Sequence, residues 1–148
     1  MKSLKYKEYS DINPFYHGIM FHHFHNGKQF KKNYSSISKK SFLKIINYLG
    51  KKNINNANDF LEKLNQKKIN QNDLCLTFDD ALKSQIKIVL PILDKLNIRA
   101  FFFIYTEIYE KKNTNLMELT RDFIQTKFLN FDEFFDFFLE NLKKYKNP

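Results

Sequence analysis

The stretch L-C-L-T-F-D-D-A, residues 74–81, predicts a short buried strand that ends in two carboxylates. Residues 74–78 are apolar except for one β-branched Thr, a composition typical of strands. Asp79 and Asp80 follow at the point where that strand must stop. In α/β folds, ligands and metals lie at the carboxyl ends of parallel strands. The two acids therefore indicate a site at this end of a sheet.

The residues after the acids predict a helix and then a second strand. Apolar residues at helical spacing predict a core-facing helix over Leu82–Leu96; they are Leu82, Ile86, Val89, Leu90, Leu93 and Leu96. The nearly continuous apolar run Arg99–Tyr105 predicts a strand covered on both faces. We expect Arg99–Ile104 to lie parallel to and beside Leu74–Phe78, joined by a right-handed crossover. The sequence thus predicts an α/β fold.

Three residues carry signals about the shape of the predicted helix. We expect Asp80 to cap its first turn and Asn97 to adopt the left-handed conformation that ends it. Pro91 lies inside the helical pattern, and we expect it to kink or locally unwind the helix near its middle.

All four histidines of the chain lie in H-G-I-M-F-H-H-F-H, residues 17–25, which predicts another short strand. We expect its Ile19–His22 part to join the same sheet. In one regular strand, His23 and His25 share a face and His22 points the other way. An H-x-H pair on one face binds metal in some hydrolases, whereas polar residues at a strand end are the simpler interpretation.

Helices are expected on both sides of this α/β unit. Before it, capping and apolar patterns predict a core helix from Ser38 to a stop at Gly50 and a short helix over Asp59–Leu64. After it, two capping boxes, Asn115 with Glu118 and Asn130 with Glu133, predict two C-terminal helices. The second has a broad apolar face made of Phe131, Phe134, Phe135, Phe138, Leu139 and Leu142. A face of this kind more often packs in a core or against a partner than lines a ligand pocket.

The motif L-T-F-D-D-A (76–81), followed by L-P-I-L-D-K-L-N-I-R-A-F-F-F (90–103), resembles the first motif of the polysaccharide deacetylase family. That motif is usually T-F-D-D-G, then a helix with L-P-I-L, then A-T-F-F. The upstream F-H-H-F (21–24) and the helix at 38–49 also resemble the lead-in of many bacterial members. The resemblance covers roughly residues 17–105.

The resemblance implies a partial (β/α) barrel-like fold with parallel strands, to which the C-terminal Phe-rich helices are added. It implies hydrolysis of the amide of an N-acetyl sugar in a glycan, with Asp79 as the catalytic base and Asp80 as a ligand of a divalent, zinc-like metal. His22 or His23 would line the site rather than bind the metal. Ala81 replaces the usual Gly of the motif, so we expect the turn to stay at negative φ.

Other histidines of the family pattern have no counterpart. The family completes its metal site with two histidines of a downstream H-x-x-x-H and uses a later histidine as the acid, but no histidine follows His25. A catalytic zinc typically needs three protein ligands. We therefore expect residues 1–148 to be one domain, the N-terminal and incomplete part of a deacetylase domain, from a truncated frame, a split gene or a degenerate relative. We expect no activity from this chain alone.

The composition of the chain limits the classes of binding partner that we expect. The formal net charge is +9, yet Arg99 and Arg121 are the only arginines, whereas nucleic-acid binding favours arginine. We expect a solvated basic surface and no nucleic-acid partner. The single cysteine, Cys75, is expected to pack in the core. Met1–Pro14 has no apolar segment like that of a secretory signal, and no stretch reaches transmembrane length, which predicts a cytoplasmic protein.

Two alternatives to the deacetylase hypothesis remain. Phospho-receiver domains also end a strand in acids that hold Mg²⁺, but they need a phosphoacceptor Asp and a Lys on other strands. The chain could instead be a non-catalytic interaction module that binds a partner through its Phe-rich C-terminal helix. Because the remaining strands and helices of a full barrel are missing, we expect this helix to drive self-association or docking onto a C-terminal partner chain.

Overall fold

The computed structural model describes residues 17–106 and 116–145. Within these ranges the strands are β1 (His17–Phe21), β2 (Phe24–His25), β3 (Ile37–Ser38), β4 (Leu74–Phe78) and β5 (Phe101–Phe102). The α-helices are α1 (Lys39–Leu49), α2 (Ala57–Asn65), α3 (Leu90–Leu96), α4 (Leu116–Lys127) and α5 (Phe131–Tyr145). A 3₁₀ turn (Lys51–Asn53) precedes α2, and a π-helical segment (Gln85–Val89) leads into α3. The architecture is the predicted α/β class with parallel strands and C-terminal helices.

β4 is the central strand of a parallel three-stranded sheet with the order β1-β4-β5. The register places Phe21 beside Phe78 and Phe78 beside Phe102, so all three strands end on a phenylalanine. The rings of Phe21 and Phe78 stack at 5.5 Å and those of Phe78 and Phe102 at 4.9 Å. The predicted parallel pairing of the β4 and β5 segments is confirmed, and so is the placement of the histidine-bearing strand in the same sheet.

The single strand expected over residues 17–25 is instead two strands. β1 ends at Phe21, and Phe24 of β2 pairs with Ile37 of β3 in a separate two-stranded sheet. The chain leaves the first sheet because Phe24 turns into the core, where its ring meets that of Phe42 edge-on at 5.4 Å. His22 therefore lies just beyond β1, and the regular alternation expected for His22, His23 and His25 does not apply.

The predicted core helix α1 covers this sheet. Ser38 caps it by accepting a hydrogen bond from the backbone N–H of Ser41 (3.0 Å), and Gly50 ends it at a φ of 77°. Its buried face meets a core dominated by large apolar side chains: Phe21, Phe24, Phe42, Ile46, Leu74, Leu76, Phe78, Val89 and Leu93. Burying each such side chain contributes about 1.5–3 kcal/mol, so this cluster holds the strand ends in place.

The crossover helix contains the local unwinding predicted at Pro91. Pro91 has no N–H to donate, and its ring would clash with the carbonyl four residues earlier in a regular helix. Just before Pro91 the helix widens into a π-helical segment. There the Leu90 N–H donates to the Gln85 carbonyl five residues back. Asn97 ends the helix in the left-handed conformation at φ 51° and ψ 47°, as predicted.

The expectation that Asp80 caps this helix is wrong. The first helical residues are Lys83 and Ser84, two residues too late for an Asp80 cap. The Asp80 carboxylate instead accepts a hydrogen bond from the guanidinium of Arg121. A charged long-range partner has therefore replaced the local one.

A buried acid anchors the start of β4. The Asp73 carboxylate, in a residue that is 6% exposed, accepts hydrogen bonds from Lys63 Nζ (2.7 Å), Asn55 Nδ2 (2.9 Å) and the Asn70 N–H (3.0 Å). Burial alone would raise the pKa of Asp73, but the bonds from Lys63, Asn70 and Asn55 outweigh burial and lower that pKa. The network ties β4 to the end of α2.

Two features of the C-terminal half differ from the buried strand and core that were expected. β5 is only two residues long, and Phe103 and Ile104 after it are 55% and 58% exposed, so the expectation of a strand covered on both faces is wrong. In α4 and α5, no described residue is buried. The apolar face of α5 therefore lies open on the described structure. None of the described helices has the length and hydropathy needed to cross a membrane.

The predicted capping box at the start of α5 is present in a shifted form. Asn130 Oδ1 accepts a hydrogen bond from the Glu133 N–H (2.9 Å). Glu133 Oε2 accepts the return bond from the N–H of Leu129 (2.6 Å) rather than from that of Asn130. The other predicted box depends on Asn115, which lies outside the described residues, and its partner Glu118 bonds to other side chains.

Candidate functional site

The structure brings the acid pair and His22 together at the carboxyl edge of the sheet. The N–H of Asp79 donates to the carbonyl of Phe21 (3.2 Å), so the β1–β4 pairing continues one residue past the strands. His22 Nε2 lies 3.8 Å from Asp79 Oδ2 and 3.9 Å from Asp80 Oδ2. The Asp80 side chain is 13% exposed and that of Asp79 is 29% exposed. One histidine and two carboxylates thus share one partly buried corner.

The turn that carries the acids has unusual backbone geometry. Asp80 has a φ of 71° and Ala81 a φ of 50°, both in the left-handed region. The expectation that Ala81 keeps the turn at negative φ is therefore wrong. Holding a residue with a Cβ in this region costs about 1–2 kcal/mol. This strained turn keeps both carboxylates at the edge of the sheet.

A buried glutamine that the sequence interpretation missed holds the two strand ends. Gln85 is 0% exposed, and its Nε2 donates to the carbonyl of His22 (3.0 Å) and to that of Asp79 (2.6 Å). Its Oε1 accepts from the Leu82 N–H (3.3 Å). One side chain thereby fixes the backbone of both site-bearing segments. The available signal was a polar residue at helical spacing from Leu82 and Val89, on the apolar face of the predicted helix.

Helix α4 places the guanidinium of Arg121 against Asp80, one of the two acids. Arg121 Nη1 donates to Asp80 Oδ2 at 2.6 Å and to Glu118 Oε2 at 3.0 Å. Charge-assisted bonds of this length are among the stronger ones in proteins. Neither Arg121 nor Glu118 was predicted as a site residue. The sequence signal was slight: Arg121 is one of two arginines in a chain rich in lysine.

His23 joins the same helix rather than the acid pair. Its Nε2 lies 2.8 Å from Glu118 Oε1 and its Nδ1 lies 3.0 Å from Gln125 Oε1. Asn33 Nδ2 donates to the same Gln125 oxygen at 2.9 Å. The hydrogen bond with His23 is the main reason that the pKa of Glu118 is lowered; burial opposes this, and Arg121 adds to it. We call Glu118, Arg121 and Gln125 the α4 latch.

Three cavities surround these residues. The one nearest the acids holds about 320 Å³ and is lined by Met20, His22, His23, Ser35, Ile37 and Arg121. A larger one of about 670 Å³ is also lined by His23, and neither of these two cavities is lined by Asp79 or Asp80. A groove of about 440 Å³ runs between Tyr34 and the C-terminal helices and is lined by Leu116, Met117, Thr120, Ile124 and Phe131.

Among the described residues, the acid pair lies in no complete set of metal ligands. Within residues 17–106 and 116–145, no three His, Cys, Asp or Glu side chains are placed to hold one ion together. Asp80, the expected ligand, already carries a guanidinium on Oδ2. The guanidinium already neutralises the charge of this carboxylate, which weakens its attraction for a metal ion.

Comparison with known proteins supports the resemblance in the middle of the chain. The sequence model of the polysaccharide deacetylase family matches residues 66–125. The matched segment includes β4, the acid pair, the crossover helix, β5 and most of α4. No curated protein and no solved structure matches the chain.

Proposed function

Because residues 66–125 match the polysaccharide deacetylase family, we propose that the corner formed by His22, Asp79 and Asp80 derives from the active site of a carbohydrate deacetylase. The observation that carries this proposal is the acid pair, which ends the central parallel strand inside the matched segment. The substrate class is a glycan with N-acetylated amino sugars, and the reaction is hydrolysis of the acetamide C–N bond.

In this proposal Asp79 is the general base. It is the more exposed of the two acids, with 29% of its side chain exposed against 13% for Asp80. A carboxylate in this position can take a proton from water as the water attacks the amide carbonyl. His22 Nε2 lies 3.8 Å away, beyond hydrogen-bond distance, and lines the site beside that carboxylate. Asp80 contributes charge, and Arg121 neutralises it in the observed arrangement.

We further propose that the chain alone does not deacetylate glycans. Two features support this: the α4 latch occupies Asp80, and no histidine follows His25 to complete the family's metal site or to protonate the leaving amine. The contact between Arg121 and Asp80 is a property of the fold and can be removed by mutation. The missing histidines are a property of the sequence.

An acetate-release assay on an N-acetylglucosamine oligomer tests both parts. With or without added zinc, we expect release at the rate of the protein-free blank. Zinc-dependent release that Asp79→Asn abolishes would contradict the proposed inactivity while supporting the proposed site. To test the site itself, oligomer binding is measured by calorimetry: binding that requires the acetyl groups and weakens at least fivefold in Asp79→Asn supports it. Equal binding of acetylated and deacetylated oligomers would refute it.

One observation favours the second candidate, a non-catalytic interaction module. Four phenylalanines of α5 remain about half exposed: Phe131, Phe135, Phe137 and Phe138. The partner would be a second copy or a C-terminal chain that covers this face. The phospho-receiver alternative gains nothing from the structure, since β1 is followed by His22 and His23 and β5 by Phe103, with no Asp or Lys at either position.

A further inference from the structure

The apolar face of α5 is covered on one side and open on the other. On the covered side, the Phe128 ring after α4 packs against Phe134 and Phe137, with ring centroids 5.4 Å apart in both pairs. The rest of the face is exposed on the described structure; it includes Phe131, Phe135, Phe138 and Leu142. A partner can therefore reach this face from the side that α4 leaves open.

Three charged side chains share the flank of α5 on that open side. At about 100° per residue, Asp132, Asp136 and Lys143 lie about 100°, 140° and 120° around the helix from Phe131. All three charged residues are exposed. The two acids lie in the first half of α5 and the lysine lies in its last turn. This flank is therefore negative at one end and positive at the other.

The helix dipole explains only part of this arrangement. Acids in the first turn and lysines in the last turn stabilise a helix at any angle around its axis. The dipole does not require Asp132 and Lys143 to lie on the same side of the apolar face. That shared side matters for pairing, because two helices related by a twofold axis bring equal flanks together when they run antiparallel. They bring opposite flanks together when they run parallel.

We propose that two copies of this chain pair through antiparallel α5 helices. Phe138 is the middle residue of α5, so a twofold axis near it brings Asp132 of one copy level with Lys143 of the other. The symmetry repeats this ion pair at the far end of the interface. A parallel pair would instead place each charged flank beside the flank that Phe128 covers. The charges complement each other only between antiparallel copies, which identifies the partner as a second copy of this chain.

The same pairing provides an occupant for the groove beside Tyr34. This groove of about 440 Å³ is lined by Phe131 at the start of α5, together with Met117 and Ile124. Tyr145, at the opposite end of α5, is 84% exposed. In the antiparallel pair, Tyr145 of one copy lies beside Phe131 of the other. The pairing therefore covers an exposed aromatic side chain and an apolar groove together.

Sedimentation equilibrium of the full chain at micromolar to submillimolar concentrations tests this pairing. Asp132→Lys and Lys143→Glu each put like charges together at both ends of the pair and should raise the Kd about tenfold. Asp132→Lys/Lys143→Glu restores opposite charges and should return the Kd to within about twofold of wild type. If the two residues acted only through the helix dipole, this double variant would be the weakest, because it opposes the dipole at both ends. The control is Glu140→Lys, about 180° around the helix from Phe131, which should associate as wild type does.

Three results would overturn the proposal: a monomeric wild type, single variants with the Kd of wild type, or a double variant that associates more weakly than both singles. The second and third results would leave α5 as an interaction helix in another arrangement, so they separate this pairing from the interaction-module candidate on which it rests. If Asp132→Lys loses helical content by circular dichroism, Asp136→Lys replaces it in both arms, with the same expected order of Kd. No glycan is present in these measurements, so they are independent of the tests of the deacetylase site.

Discussion

At the scale of single residues, Gln85 makes contacts that hold the site together, although its sequence context does not single it out. Its amide joins three backbone groups from two segments: the carbonyl of His22 after β1, and the carbonyl of Asp79 and the N–H of Leu82 after β4. A buried polar group left without its partner costs about 1–3 kcal/mol. This makes Gln85 the residue whose loss should separate the two halves of the site.

We predict that Gln85→Leu, which keeps the volume but removes the bonds, lowers the free energy of unfolding by about 2–4 kcal/mol. Urea denaturation followed by circular dichroism measures this. The control is Gln71→Leu at an exposed position, which should stay within about 0.5 kcal/mol of wild type. Equal midpoints for the two variants would show that the amide bonds do not contribute.

Glu118 gives a second prediction at this scale, because its pKa is lowered in the folded chain, mainly by the hydrogen bond with His23. A carboxylate with a lowered folded pKa stabilises the fold above its unfolded pKa of about 4.3, and that contribution is lost as pH falls through the folded value. We therefore expect α4 to loosen in this acidic range. Hydrogen exchange of the α4 amides, corrected for the intrinsic rate, should quicken there.

The matched variant for this pH dependence is Glu118→Gln. It keeps a hydrogen-bonding side chain but does not titrate, so its α4 exchange should be fast already at neutral pH and should lack the acid-dependent step. A step of the same size in the variant would assign it to another group.

The site residues that could be predicted from the sequence are those fixed by local pattern. Asp79 and Asp80 follow the end of a strand that composition predicts, whereas His22 was expected inside a strand and in fact lies just beyond the end of β1. Arg121 and Glu118 were not predicted, because their contacts with Asp80 and His23 join residues 41 and 95 positions apart. Helical periodicity predicts which residues share a face, but it does not predict which distant residue that face contacts.

At the scale of elements, the turn from β4 into the crossover helix departs most from the expected backbone. Asp80 and Ala81 both have positive φ. Sequence reasoning expected a negative φ at Ala81 because a Cβ disfavours the alternative. The turn is instead decided by pairing on both sides: Asp79 is tied to β1 and Gln85 ties the first helical turn to Asp79.

We predict that Ala81→Gly stabilises the fold by about 0.5–1 kcal/mol, because relief of the left-handed strain exceeds the extra chain entropy of glycine. Thermal and urea denaturation measure it. Ala100→Gly serves as the control: Ala100 is not at positive φ, so there the entropy term acts alone and stability should fall. Destabilisation at both positions would contradict the strain argument.

Helix boundaries and caps were predicted more successfully than strand lengths. α1 is set by Ser38 and Gly50 within one segment, and the unwinding at Pro91 follows from the missing N–H of proline. Strand extent depends on neighbours: β1 stops because Phe24 turns into the core, and β5 is short although the apolar run is long.

At the scale of the whole molecule, the open face of α5 is the dominant feature. Phe135 and Phe138 are 47% and 45% exposed, and each buried phenylalanine contributes about 1.5–3 kcal/mol. We predict that the wild-type chain self-associates at micromolar concentration in sedimentation velocity. Phe135→Asp/Phe138→Asp should be monomeric.

The control for this experiment is Tyr48→Asp, which adds the same charge at an exposed aromatic of α1. It should associate as wild type does. A wild-type monomer, or equal association of all three proteins, would show that α5 does not mediate contacts between copies.

The groove between Tyr34 and α4 is a suitable place for a fluorescent probe of the position of α4. The chain contains no tryptophan, so Tyr34→Trp would introduce a single indole emitter facing Leu116, Met117 and Phe131. Its emission would shift to the red when α4 moves away and water reaches the ring. Lowering the pH of this variant in a stopped-flow fluorimeter, into the range where Glu118 becomes protonated, would give the rate at which α4 moves away, a quantity that equilibrium measurements do not contain.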